Sequence, residues 1–213
     1  MLSVTLIIVL LTAVVSFTSL NNPKVINDLI FTPPAITYRN QWYRFFSCAL
    51  IHADLPHLLF NMWALYIFGE NLEKAMQYIF GGKGNFVFVA LYLFAQFFCL
   101  IPTYLKHKDN YGYRSLGASG AVSGVVFASI ILFPTAKLGL LFIPIGIPGF
   151  VFGFIYLAVS YYMAKRGSDN INHEAHFFGA LAGVAFLVTA CYAFSDFDPV
   201  ENFVGQIRDF LRF

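Results

Sequence analysis

Six apolar stretches without Asp, Glu, Lys or Arg constrain the fold of this 213-residue chain more than any other feature. A helix that crosses a bilayer needs roughly 20 such residues. The stretches are Met1 to Leu20, Leu55 to Gly69, Asn85 to Leu105, Leu116 to Ala136, Leu138 to Ala164 and Ala175 to Ser195. Hydrophobic residues make up 59% of the chain and charged residues 11%, which is unusual for a soluble domain. We therefore predict an all-α, multi-pass integral membrane protein with six transmembrane helices.

The fifth stretch contains turn-forming residues near its start. Pro144, Gly146, Pro148 and Gly149 all disfavour a helix there. We expect the helix to begin after them, and we expect residues 138–147 to form an apolar loop at the membrane interface.

The segments outside these stretches predict a two-part organisation. Residues 21–50 form a long, aromatic-rich connection, which we expect to fold at the membrane surface. Residues 196–213 mix charged residues with an apolar face and predict an amphipathic surface helix. Residues 1–195 are therefore predicted to form the membrane domain and residues 196–213 a C-terminal tail. The first stretch lacks the basic start and cleavage pattern of a signal peptide, so a retained helix is favoured.

Polar side chains inside the apolar stretches indicate a functional site, because such groups are costly at membrane depth. Ser119 opens the fourth stretch, and His176 begins the sixth. His57 and Asn61 are four residues apart in the second, so on a helix they share one face. Glycines recur at three- and four-residue spacing around Ser119 and after His176, which allows two helices to approach closely. These glycines are Gly117, Gly120, Gly124, Gly179 and Gly183.

Other classes of site have little support in the sequence. The segment from His173 to His176 lacks the H-E-x-x-H pattern of zinc proteases, so no metal site is predicted. The three cysteines are isolated from one another and are predicted to be packing residues. The net charge of +2 forms no basic patch, so nucleic-acid binding is not expected.

Three motifs in this order resemble those of rhomboid intramembrane serine proteases of the compact six-helix bacterial type. The pattern H-x4-H-x3-N occurs at His52, His57 and Asn61, G-x-S-G at residues 117–120, and A-H-x-x-G-x-x-x-G at residues 175–183. Each motif alone is weak, but their order within six hydrophobic stretches is specific. The resemblance covers nearly all of the predicted membrane domain.

The resemblance implies a role for each polar residue. Ser119 would be the nucleophile and His176 the general base, while His57, Asn61 and the Ser119 backbone N–H would form the oxyanion hole. Structural roles are implied for two charged residues and the glycines: Arg44, Glu73, Gly117, Gly120, Gly124, Gly179 and Gly183.

Two positions depart from the family pattern. The family often has Trp directly before the arginine, whereas this chain has Tyr43 there and Trp42 one place earlier. Many members carry a tyrosine four residues after the nucleophile, where it stacks on the histidine, and this chain has Ser123.

The implied activity is that of a serine endopeptidase that cleaves transmembrane segments of single-pass proteins near the bilayer surface. The implied location is the inner membrane of a bacterium, and no cofactor is required. Two alternatives remain: a transporter or channel with polar groups in a helical bundle, and a catalytically inactive rhomboid-like protein that acts as a membrane-protein binding or quality-control factor. The oligomeric state is not predicted.

Overall fold

The computed structural model describes residues 2–140, 143–167 and 171–212 and consists mainly of helices. In chain order the helices are α1 (Val4–Ser19), α2 (Pro23–Leu29), α3 (Pro33–Arg39), α4 (Arg44–Ser47), α5 (Leu55–Phe80), α6 (Gly84–His107), α7 (Ser119–Leu132), α8 (Gly149–Arg166), α9 (His173–Phe194) and α10 (Pro199–Leu211). Each of the six apolar stretches therefore contains one helix of 14 residues or more.

Polar side chains fix where several of these helices begin. Asp54 accepts a hydrogen bond from the His57 N–H at the start of α5, and Asn172 accepts one from the Ala175 N–H at the start of α9. Such caps satisfy N–H groups that have no partner within the helix. The caps set the registers of the two helices that carry His57 and His176.

Helix α7 lies at the centre of the bundle. Twelve of its 14 residues are buried, and it packs against α5, α6 and α9. Helix α8 lies at the periphery, where only Gly149, Gly153 and Ser160 of its 18 residues are buried. A helix with so little buried surface is held more weakly than one enclosed on all sides.

Two continuous helical stretches in the described residues are long and apolar enough to cross a membrane. They are Leu55–His107, which contains α5 and α6 joined by a short 3₁₀ turn, and His173–Phe194. Helices Val4–Ser19 and Ser119–Leu132 are apolar but shorter. The structure thus agrees with a mainly helical membrane protein, and the count of six crossings stays a prediction.

The connection between α7 and α8 differs from the predicted loop. Strand β1 (Lys137–Leu140) pairs antiparallel with β2 (Ile143–Pro148), so most of the predicted loop forms a β-hairpin. The two residues between the strands, 141 and 142, lie outside the described residues. Helix α8 begins at Gly149, directly after Pro148 and one residue before the predicted start.

The tail contains helix α10, which contacts the C-terminal end of α7. The Asn202 and Gln206 side-chain amides donate hydrogen bonds to the Leu132 carbonyl at 3.1 and 2.9 Å. Carbonyls in the last turn of a helix have no hydrogen-bond partner within it, so these amides supply donors for the Leu132 carbonyl at the end of α7. The tail therefore holds the central helix at the end opposite Ser119.

Candidate active site

Ser119 is the first residue of α7, and the loop before it is held by hydrogen bonds on both sides. Ser115 exchanges two backbone bonds with Phe31, and the Gly117 N–H donates to the Cys48 carbonyl at 2.9 Å. These bonds connect the loop to the segment between α1 and α5. The position of Ser119 therefore depends on that segment as well as on α7.

His176 lies in the first turn of α9, and its Nε2 is 2.7 Å from the Ser119 hydroxyl oxygen. The carboxamide of Asn172 caps this helix, and Asn172 also exchanges contacts with the Thr103 hydroxyl on α6. The imidazole and the hydroxyl are within hydrogen-bond distance, as proton transfer between a base and a nucleophile requires.

The close approach of α7 and α9 explains this short distance. A methyl group added at Gly183 would lie 2.5 Å from the Gly124 Cα, and one added at Gly179 would lie 2.8 Å from the Gly120 backbone carbon. Real side chains do not tolerate such distances, so the two backbones are in direct contact. Four of the five singled-out glycines therefore lie between the helices that carry Ser119 and His176.

The fifth glycine, Gly117, shapes the loop before Ser119. Its φ of 110° lies in a region that favours glycine, and an added Cβ would be 2.8 Å from the His57 ring. The His57 imidazole thus lies directly against the loop that leads to Ser119. Both requirements, the positive φ and the closeness of the ring, make glycine necessary here.

Asn61 lies one turn after His57 on the same side of α5, and both residues line the cavity that contains Ser119. The Asn61 amide donates one hydrogen bond to the His57 carbonyl at 2.9 Å. A carboxamide nitrogen carries two N–H donors, and this bond uses one of them. The structure brings both predicted oxyanion donors to the same cavity as the serine.

His52 is the first residue of the H-x4-H-x3-N motif, and no role was predicted for it. It is fully buried, its Nδ1 lies 3.2 Å from the Ser16 hydroxyl, and its Nε2 accepts a hydrogen bond from the Ala118 N–H at 3.4 Å. The pKa of His52 is lowered to about 4, mainly by burial and also by the nearby His57, while Asp54 opposes the shift. A neutral imidazole can accept from Ala118 while donating to Ser16, so His52 connects α1 to the loop before Ser119.

Arg44 is buried, and its guanidinium has three hydrogen-bond acceptors. Its guanidinium donates to the Asn27 and Ile30 carbonyls at 2.9 and 2.6 Å and to the Gln41 side chain at 2.6 Å. A buried guanidinium needs such acceptors to offset its desolvation. Arg44 thereby connects α4 to the end of α2.

Glu73 is also almost fully buried. Its carboxylate accepts from the Val4 N–H at 2.9 Å and from the Thr5 N–H and hydroxyl at 2.8 Å each. A carboxylate at a helix N-terminus satisfies unpaired N–H groups and interacts favourably with the helix dipole. Glu73 therefore attaches the start of α1 to α5.

Tyr156 on α8 was missed by the sequence reasoning. Its hydroxyl lies 2.7 Å from the Ser123 hydroxyl, and its ring lies beside the His176 ring, with centroids 6.5 Å apart. No motif includes Tyr156. It lies at the site because of the way α8 is oriented about its own axis, which places this side chain towards Ser123 and His176. A tyrosine thus lies beside His176 although position 123 is a serine.

A groove of about 1780 Å³ surrounds the serine. It is lined by residues of α7, by Phe60 and Trp63 on its α5 side and by Phe152 and Tyr156 on its α8 side. No group of three or more His, Cys, Asp or Glu side chains in residues 2–140, 143–167 and 171–212 is arranged to hold a metal ion. The chemistry that these side chains can perform is nucleophilic attack by a serine beside an imidazole.

A family model and several curated proteins that match this chain all carry the name rhomboid. The Rhomboid domain model matches residues 39–193. The chain is 28% identical to Rhomboid-like protein 15 of Arabidopsis thaliana over 75% of this chain and 39% of that protein. It is 29% identical to the rhomboid protein YdcA of Bacillus subtilis (strain 168), over 67% and 64%, and 30% identical to the mitochondrial RHOMBOID-like protein 12 of Arabidopsis thaliana, over 66% and 44%.

The chain spans 39% to 64% of the length of these three relatives. The matched region nonetheless includes all three sequence motifs and helices α4 to α8, together with nearly all of α9. The chain belongs to the rhomboid family.

Proposed function

We propose that this protein is an intramembrane serine endopeptidase that uses a Ser119–His176 dyad. The observation that carries the proposal is the 2.7 Å distance between the Ser119 hydroxyl oxygen and His176 Nε2 in a groove between α5 and α8. We propose six membrane crossings by α1, α5, α6, α7, α8 and α9, in the inner membrane of a bacterium.

The proposed reaction has two halves, acylation of Ser119 and hydrolysis of the resulting ester, and both use the same side chains. His176 Nε2 accepts the Ser119 proton as the hydroxyl oxygen attacks the peptide carbonyl, and the resulting imidazolium then protonates the leaving amine. Water then attacks the ester formed on Ser119, with His176 again accepting a proton. His57, Asn61 and the Ser119 N–H would stabilise the two tetrahedral oxyanions, and a preorganised donor of this kind contributes about 3 to 4 kcal/mol.

The groove supports a substrate that is itself a membrane-spanning segment. Its α5 side includes Phe60, Trp63 and Ile67, and its α8 side includes Phe152. An apolar lining of this kind suits the side chains of a transmembrane helix. A peptide bond inside a regular helix is shielded by its own hydrogen bonds, so segments with internal Gly or Pro should be preferred.

Labelling by a fluorophosphonate probe tests the proposal directly. The purified protein in detergent should form a covalent adduct at Ser119, as identified by peptide mass spectrometry, and Ser119→Ala should form none. The same protein in vesicles should cleave a single-span model substrate. A folded protein that neither reacts with the probe nor cleaves would contradict the proposal and favour an inactive rhomboid-like protein.

A further inference from the structure

Tyr156 lies beside His176 and is connected to Ser119 through Ser123, so a third helix reaches both members of the proposed dyad. Its ring lies at an interplanar angle of 28° to the His176 ring, and its hydroxyl lies 2.7 Å from the Ser123 hydroxyl. The Ser123 hydroxyl in turn lies 2.8 Å from the Ser119 carbonyl oxygen. A single side chain of α8 therefore reaches the first turn of α7 and the imidazole of α9.

The direction of these hydrogen bonds follows from the number of protons that each hydroxyl group carries. A serine hydroxyl has one proton, and Ser123 donates it to the Ser119 carbonyl, which can only accept. Ser123 must then accept from Tyr156, so the Tyr156 O–H is the donor. The chain of bonds ends at the backbone of the serine itself and holds the Tyr156 ring at a fixed position against His176.

The element that carries Tyr156 is the least enclosed long helix of the bundle. Three of the 18 residues of α8 are buried, whereas twelve of the 14 residues of α7 are. Many of its apolar side chains, including Phe154 and Val159, are exposed. A displacement of α8 would remove Tyr156 from Ser123 and from His176 while leaving the contact between α7 and α9 intact.

We infer that Tyr156 is a positioning residue for His176, so that the dyad is fully competent only while α8 is docked. This inference rests on the proposed function, because it concerns the efficiency of the same serine and histidine. The ring restricts the orientation of the imidazole, and the hydroxyl bond to Ser123 fixes the ring. The α8 helix that lines one side of the substrate groove therefore also completes the catalytic geometry.

The test separates the ring from the hydroxyl. Tyr156→Phe removes the hydroxyl only, Tyr156→Ala removes both, and Tyr162→Phe and Tyr162→Ala are matched controls at an exposed tyrosine of the same helix. The substrate is a short soluble peptide, which does not need α8 to move aside. General-base catalysis is worth about 10²- to 10⁴-fold, so we expect kcat to fall about 10-fold in Tyr156→Phe and about 100-fold in Tyr156→Ala. KM should be unchanged, and both Tyr162 variants should match the wild type.

The hydrogen-bonded chain has its own test. Ser123→Ala removes the middle hydroxyl and should lower kcat by about the same factor as Tyr156→Phe, and the double variant should be no slower than either single one. A fully additive double variant would mean that Ser123 and Tyr156 do not act together, which overturns the inference.

Other outcomes also have a defined meaning. Wild-type kcat on the soluble peptide in folded Tyr156→Phe and Tyr156→Ala would overturn the positioning role, even if cleavage of membrane substrates rises. If Tyr156→Ala unfolds, as judged by its melting temperature, Tyr156→Phe decides alone, because it preserves the packed ring. Absence of fluorophosphonate labelling in the wild type would instead overturn the proposed function, so the two failures are distinguishable.

Discussion

The Ser119 hydroxyl oxygen lies 2.7 Å from His176 Nε2, although the two residues are 57 positions apart in the sequence. Glycines on both helices allow the backbones of α7 and α9 to touch, and this contact sets the distance. The pair is therefore expected to act as one unit.

Removing either partner should abolish proteolysis. Ser119→Ala and His176→Ala should each lower kcat by about 10⁴-fold, and the double variant should be no worse than either, because residues that act as a unit are not additive. Cleavage of a single-span substrate in vesicles measures this, with unchanged melting temperatures as the control for folding. Normal cleavage by Ser119→Ala would end the serine-protease proposal.

The proposed oxyanion role of His57 and Asn61 predicts a different kinetic pattern. His57→Ala and Asn61→Ala should lower kcat by about 10- to 1000-fold with little change in KM, because these groups would act mainly on the transition state. Steady-state kinetics on one peptide substrate separate the two constants. A large rise in KM at unchanged kcat would show that the two side chains bind the substrate before reaction instead.

Glu73 predicts a loss of stability. Glu73→Ala leaves the Val4 and Thr5 N–H groups without their carboxylate and should lower the free energy of unfolding by about 3 kcal/mol. Glu70→Ala is the matched control, since Glu70 is less buried and accepts from the Ser3 hydroxyl rather than from the α1 backbone. Melting temperatures in one detergent compare the two. Equal temperatures for both variants would argue against the role of Glu73 in holding α1.

Two phenylalanines of α8 should differ in their effect on substrate access. Phe152 is half-buried, with its ring centroid 5.8 Å from that of Tyr156, whereas Phe154 is 77% exposed. Phe152→Ala should loosen α8, so the cleavage rate of a membrane substrate divided by that of a short soluble peptide should rise about twofold or more if access limits turnover, and Phe154→Ala should leave this ratio unchanged. The soluble peptide corrects for any loss of Tyr156 positioning, because it does not need α8 to move aside. Equal ratios in wild type and both variants would show that access past α8 does not limit turnover.

His52 predicts a pH dependence of stability. Its pKa is about 4 in the folded protein, where burial is the main cause, against about 6.5 in an unfolded chain. The unfolded chain therefore binds the extra proton first, so stability is complete above pH 6.5 and is lost as the pH falls towards 4. The melting temperature should decline over this range, and the decline should be smaller in His52→Gln. An identical decline in the variant would assign the effect to other groups.

Much of the helical pattern could be predicted, because apolar stretches, caps and glycines act locally. The α5 helix runs on to Phe80, beyond the apolar stretch that ends at Gly69, since a helix can continue through charged residues that end a hydrophobic stretch. The β-hairpin was missed because prolines and glycines in an apolar segment indicate a turn but not the pairing of its flanks. The proximity of Ser119 and His176 was expected from motifs, whereas that of Tyr156 depends on how α8 is rotated, which no local pattern records.

Helix α7 is shorter than the hydrocarbon core of a bilayer is thick, so water has to enter the protein to reach Ser119. Its 14 residues rise about 21 Å, whereas the hydrocarbon core of a bilayer is about 30 Å thick. If α7 crosses the bilayer as proposed, with α10 at the interface next to its far end, Ser119 would lie about 9 Å below the other interface. Because most of α7 is enclosed by protein, the lipid does not have to thin around it. The proposed hydrolysis would then take place at the bottom of a hydrated depression in the protein, and a substrate would have to exchange its lipid contacts for this depression before its peptide bond meets water.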